Sequence, residues 1–130
     1  MKIVFLIDDD ADDREIFADS LSALDSDIMY QEAVNGQDAF EKLQSETFPK
    51  PDLIFLDLNM PIMDGRTFLK KIKENTDFSA IPVIIYSTSS SDYDKQFAAQ
   101  NQAAMFLTKQ YSIALLTRDI KHAIENFLGV

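Results

Sequence analysis

Leu53-Ile54-Phe55-Leu56-Asp57-Leu58-Asn59-Met60-Pro61-Ile62-Met63-Asp64-Gly65 decides how this chain is read. An apolar run of strand length drives into a lone carboxylate, Asp57, and Pro61 and Asp64-Gly65 then turn the chain. A carboxylate at the end of a buried strand is costly unless something satisfies it. The same figure opens the chain, where Ile3-Val4-Phe5-Leu6-Ile7 runs into Asp8-Asp9-Asp10. Two apolar strands ending in carboxylates imply that the two ends meet and build one acidic site.

Outward from these strands, the pattern alternates. Asp10 or Asp12 can cap a first helix over about residues 12–24, with Ile16, Phe17, Leu21 and Leu24 at helical spacing. Asp25-Ser26-Asp27 breaks it. Residues 28–33 form a second, less apolar strand nearer an edge, and Asn35-Gly36 is a turn. Ala39, Phe40 and Leu43 mark a second helix that ends before Pro49 and Pro51. Phe68, Leu69 and Ile72 define a third, with Lys70, Lys71 and Lys73 as its solvated face. Pro82 opens a fourth strand, Val83-Ile84-Ile85-Tyr86, which runs into hydroxyls from Ser87 to Ser91. Phe97, Ala98 and Ala99 lie in a fourth helix. Met105-Phe106-Leu107 is a fifth strand followed by Thr108 and Lys109. Ile113, Leu116, Ile120, Ile124 and Phe127 recur at the period of a final helix.

Strict alternation of short apolar strands with helices implies parallel pairing through right-handed crossovers, an open doubly wound α/β domain. Such folds bind ligands outside the carboxyl ends of their strands. The notable polar residues stand at four of those ends: Asp8-Asp9, Asp57, Ser87 and Lys109.

Composition agrees. At 130 residues the chain is read as one domain. A hydrophobic fraction of 46% suits a globular core, not a disordered chain. Without cysteine, disulfides and thiolate metal sites are excluded, which fits a cytoplasmic location. The first apolar run is too short for a signal peptide or a membrane span. A formal charge of −10, from 12 basic and 22 acidic residues, argues against direct binding to nucleic acid or an anionic membrane. A cation is the more natural small partner.

Carboxylates about 4 Å apart repel by about 4 kcal/mol at an effective dielectric near 20. Such a cluster persists if a cation occupies it or a carboxyl takes up a proton. An all-oxygen donor set favours a hard ion, Mg²⁺ or Mn²⁺. Lys109 adds a fixed positive charge, and Ser87 and Thr88 add hydroxyls. A divalent cation, an ammonium and a hydroxyl are what a phosphoryl group requires around its oxygens, and a carboxylate among them can be the nucleophile.

These residues carry a resemblance along essentially the whole chain. Asp8-Asp9, Asp57 with Leu58-Asn59-Met60-Pro61-Ile62-Met63-Asp64-Gly65, Ser87-Thr88 and Lys109 together resemble the receiver domain of two-component response regulators. The resemblance implies a flavodoxin-like five-stranded parallel sheet in the order 2-1-3-4-5 with five helices. It implies that Asp57 is the phosphate acceptor. Asp9 and Asp57 would bind Mg²⁺ through their carboxylates, Asn59 through its backbone carbonyl, and Asp8 mainly through water. Lys109 would pair with the phosphoryl oxygen, and Ser87 would hydrogen-bond it. Phe106 would then follow Ser87 inward as the switch. The implied partners are a histidine kinase or a histidine phosphotransfer protein, and an unknown protein downstream.

Three features depart from that pattern. The lysine is followed by Gln110 and not by proline, so a trans Lys109–Gln110 bond is expected, since a non-proline cis bond costs ~2.5–4 kcal/mol. Phe106 has no hydroxyl to donate. No output domain is expected beyond the final helix. Two other functions stand beside the leading one: a phosphate-independent interaction module, and a phosphohydrolase. The second is disfavoured by Asn59, which stands where such enzymes usually carry a second acid.

Overall fold

The computed structural model describes residues 1–24 and 27–129. Of the helix break expected at Asp25-Ser26-Asp27, Asp25 and Ser26 lie outside the described residues. Five strands, β1 (Lys2–Ile7), β2 (Ile28–Ala33), β3 (Leu53–Leu56), β4 (Val83–Ser87) and β5 (Met105–Thr108), alternate with five helices. The helices are α1 (Ala11–Ser22), α2 (Gly36–Gln44), α3 (Gly65–Glu74), α4 (Asp92–Gln100) and α5 (Ile113–Leu128). The strands form one sheet in the order β2-β1-β3-β4-β5, and its pairs are parallel. This is the flavodoxin-like arrangement, and β2 is indeed an edge.

The side-chain alternation of each strand divides the apolar residues between two cores. Phe5, Ile7, Ile54, Leu56, Val83 and Ile85 pack with Leu43, Phe68, Leu69, Ile72 and Ala98 of α2, α3 and α4. Val4, Leu6, Leu53, Phe55, Ile84 and Tyr86 pack with Phe17, Leu21, Leu116, Ile120 and Ile124 of α1 and α5. β3 and β4 are buried throughout and β1 from Val4 onward, which is why they read as continuous apolar runs rather than alternating ones.

Side-chain oxygens define where the helices begin. Asp10, not Asp12, caps α1, accepting from the Asp12 and Asp13 N–H groups. Asn35, Asp64, Ser91 and Ser112 cap the other four. The lysine face of α3 is not wholly solvated. Lys73 is half-buried and donates to the carbonyls of Ser79 and Ile81, both at 3.2 Å. A four-carbon stem lets its ammonium fold back over the helix end and satisfy carbonyls of the loop entering β4.

Register positions the site. Ile7 of β1 pairs with Leu56 of β3, so the next residues, Asp8 and Asp57, emerge side by side. The Asp57 N–H continues the ladder onto the Ile7 carbonyl at 3.0 Å. Ser87 pairs with Thr108, and the Lys109 N–H donates to the Ser87 carbonyl at 2.8 Å. Lys109 is thereby led in beside the carboxylates from the far side of β4.

Candidate functional site

Beyond β3 the chain must leave the sheet and enter α3 within a few residues. Gly65 makes that possible. Its N–H donates to the Leu58 carbonyl at 2.9 Å. A Cβ placed there would collide with the Asp57 carbonyl oxygen and come within 2.8 Å of the Leu58 Cα. The start of α3 therefore rests directly on the backbone of Asp57. Between them, the Met63 N–H reaches back to the Pro61 carbonyl at 2.7 Å, a three-residue γ-turn. Its central residue, Ile62, has φ 68° and is 83% exposed. A β-branched residue in this left-handed region is strained.

Asp8 is completely buried, Asp57 nearly so, and Asp9 is exposed at the mouth. Each offers a carboxylate oxygen, and these lie within 4.8 Å of one another. Burial pushes the Asp57 carboxyl up to about 6, more than the nearby Lys109 ammonium lowers it. Burial likewise raises Asp8, against hydrogen bonds from Lys109 and the Asp10 N–H. Both acids therefore hold protons more tightly than free carboxylates, as burial demands of groups that lose their hydration. The all-oxygen donor set fits a hard divalent ion.

Lys109 is the counter-charge. Its Nζ donates to Asp8 Oδ2 at 2.7 Å and to Asp13 Oδ2 at 2.8 Å, and stands 3.7 Å from Asp57 Oδ2. It also stands 5.3 Å from the centroid of the Tyr86 ring. Burial works against its charge, but the hydrogen bonds to Asp13 and Asp8 outweigh it, so the ammonium is held more firmly than usual. The Lys109–Gln110 bond is trans, as expected.

Ser87 is fully buried, and its Oγ accepts from the Ser89 N–H at 3.2 Å. Its hydroxyl proton remains free to turn toward a neighbour. Ser91 caps α4 as the polar run suggests, but Ser89 does something else. Its hydroxyl donates to Asp94 Oδ2 at 2.6 Å, while Arg66 Nη2 donates to Asp94 Oδ1 at 2.7 Å. These bonds, from Ser89 first and Arg66 second, hold the Asp94 carboxyl below the ordinary range. Arg66 Nη1 also lies 3.5 Å from Asn59 Oδ1, and the Asn59 N–H lies 3.5 Å from Asp57 Oδ1. The loop that carries Ser87 is thus tied to α4, to α3 and, through Asn59, to the mouth of the site. Phe106 is half-buried against the core on the α4 side of the sheet.

Asp8, Asp9, Asp57 and Lys109 are brought together as the sequence implies, with Ser87 on the adjoining strand end. Asp13, Arg66 and Asp94 escape a sequence reading, because an acid in the first turn of a helix usually means only a favourable dipole, and a base there only a solvated face.

Residues 4–121 match the model of the response regulator receiver domain. The chain is 32% identical over 130 residues to the response regulator Rcp1 of Synechocystis sp., covering 97% of this chain and 88% of that protein. It is 32% identical over 123 residues to the sensor histidine kinase CheAY of Helicobacter pylori, covering 95% of this chain but 15% of that much longer protein. Among solved structures, the phosphorylated cyanobacterial phytochrome response regulator RcpA superposes with a TM-score of 0.91 at 28% identity, covering 98% of this chain and 94% of that one. The Mn²⁺-bound form of Rcp1 superposes with a TM-score of 0.88 at 31% identity, with the same coverage. No helix among the described residues is long and apolar enough to cross a membrane.

Proposed function

The chain belongs to the family of response regulator receiver domains, and we propose that within it Asp57 accepts a phosphoryl group from a histidine kinase or a histidine phosphotransfer protein. The observation that carries this reading is the convergence of Asp8, Asp9 and Asp57 within 4.8 Å, with Lys109 as their buried counter-charge. Asp9 and Asp57 would hold Mg²⁺ or Mn²⁺ through their carboxylates and Asn59 through its backbone carbonyl, with Asp8 acting mainly through water. That a solved structure of the relative Rcp1 is a Mn²⁺-bound form supports a divalent ion at this acidic cluster. The bound ion supplies the positive charge that lets an anionic donor approach an anionic nucleophile.

An Asp57 oxygen attacks phosphorus while the bond from phosphorus to the donor imidazole nitrogen breaks. The imidazole keeps the electron pair and takes a proton from solvent. Lys109 and the Ser87 hydroxyl bind oxygens of the transferred group. In a second, hydrolytic step, water attacks phosphorus, the bond to Asp57 breaks, and inorganic phosphate leaves with the carboxylate restored. The chain thus catalyses its own phosphorylation and dephosphorylation, and Asn59, where phosphohydrolases usually carry a second acid, argues against turnover of external phosphoesters.

Recruitment of Ser87 to the phosphoryl group draws its loop inward. Phe106 follows, and the face built by α4, β5 and α5 changes shape. A downstream protein reads that change, and the chain works as a cytoplasmic receiver. Its similarity to the response regulator Rcp1, across 88% of that protein, supports the receiver role.

Incubation with acetyl phosphate and Mg²⁺ tests the chemistry. The expected result is one added phosphoryl group, mapped to Asp57 and absent from Asp57→Asn. No labelling of the parent would leave the phosphate-independent interaction module as the better reading. Direct phosphotransfer profiling against candidate kinases then identifies the donor.

A further inference from the structure

Lys109 is not drawn chiefly toward the acceptor. Its two short hydrogen bonds go to Asp8 and Asp13, at 2.7 and 2.8 Å, while Asp57 Oδ2 lies at 3.7 Å, beyond hydrogen-bond range. Asp8 emerges from a strand end and is fixed by the sheet. Asp13 instead comes from the first turn of α1, with its side chain about one-third exposed. A cleft of about 370 Å³, lined in part by Asp13, Thr88, Lys109 and Tyr111, brings solvent to this side of the ammonium.

We propose that Asp13 is a positioning residue that restrains Lys109, competing with the phosphoryl group for its ammonium and so setting how readily Asp57 becomes and stays phosphorylated. The inference rests on the phosphoacceptor reading of Asp57. Two physical effects act in the same direction. An ammonium has three donors, and two are already committed to carboxylates in the resting protein. The third donor can meet one phosphoryl oxygen, but a second bond to the phosphoryl group has to come at the expense of Asp13, since Asp8 is held by the strand. Asp13 also adds a negative charge beside a group that itself carries one to two. Removing that charge favours the phosphorylated state on both counts. The same removal cannot strengthen cation binding, because it makes the site less negative.

The test compares the parent chain, Asp13→Asn and Asp13→Glu at saturating Mg²⁺. Binding of beryllofluoride, a phosphoryl mimic, is measured by calorimetry, and labelling by limiting acetyl phosphate is measured by mass spectrometry. Asparagine keeps the shape of aspartate and removes its charge. Asp13→Asn is expected to bind beryllofluoride three- to tenfold more tightly and to reach a higher labelled fraction, with Mg²⁺ affinity equal to or below that of the parent. Asp13→Glu, which keeps the carboxylate, is expected to move back toward the parent value. In the metal-free protein, the Lys109 ammonium protons are expected to exchange about tenfold faster in Asp13→Asn, as seen by nitrogen-resolved NMR. Unchanged or weaker beryllofluoride binding in a folded Asp13→Asn overturns the proposal, because a purely structural ion pair would alter melting temperature alone. If the parent takes neither beryllofluoride nor label, the phosphoacceptor reading fails and this one with it.

Discussion

At the scale of single residues, Asp57 is held in a conflict between folding and chemistry. Burial raises its carboxyl from 3.8 to about 6. The folded chain therefore binds this proton more tightly than the unfolded chain does. The resulting stabilisation is full below about pH 4 and is lost as pH rises through about 6. The difference between 3.8 and about 6 corresponds to ~3 kcal/mol. Without divalent cations, Asp57→Asn is expected to stabilise the protein by ~2–3 kcal/mol at pH 8, and the gain should vanish near pH 4; urea unfolding at the two pH values checks this. Added Mg²⁺ needs the carboxylate, so its stabilising effect on the parent should fade below about pH 6. Such residues were legible in the sequence for the reason that makes them costly. Asp8, Asp57 and Lys109 each follow an apolar run that has no use for a charge. Asp13, Arg66 and Asp94 were not legible, since each lies in a helical first turn, where a charge is ordinary. Their roles depend on where that turn falls relative to the strand ends, and spacing along the chain does not encode it.

At the scale of elements, the decisive join is between β3 and α3. Turn chemistry at Pro61 and Asp64-Gly65 announced that join, and Asp64 does cap α3, accepting from the Thr67 N–H at 3.0 Å. What the turn residues did not announce is how tightly the helix start is pressed against Asp57. With the Asp57 carbonyl in the place of a Cβ, Gly65→Ala must move either the helix or the acceptor. Overpacking of this kind costs about 1–3 kcal/mol. Gly65→Ala should therefore lower the urea midpoint and also slow labelling by acetyl phosphate, even at temperatures where the variant is fully folded. A loss of stability with labelling unchanged would show that the helix yields and the acceptor stays. The lysine row of α3 carries a related lesson. Lys70, Lys71 and Lys73 look alike in sequence, yet Lys73 alone folds over the helix end onto Ser79 and Ile81. A long flexible cation takes whichever carbonyls the following loop presents, and the loop's path is a tertiary fact.

At the scale of the whole molecule, alternation of strands with helices established a parallel doubly wound sheet from the sequence alone. The strand order needed more, and it came from the family resemblance, since local patterns do not record which face each helix crosses to. The sheet then acts as a partition. Apolar side chains of one parity pack with α2, α3 and α4, and those of the other parity pack with α1 and α5. Ile72 and Ile124 each lie in one of these cores and share no cluster. Ile72→Val and Ile124→Val should each cost about 0.5–1.5 kcal/mol, and the double variant should match their sum within about 0.5 kcal/mol by urea unfolding. Additivity of that kind has an evolutionary meaning. Substitutions on one layer leave the stability cost of substitutions on the other unaltered, so a lineage can remodel one set of helices for a new partner while the opposite core drifts, the two coupled only through the total stability they share.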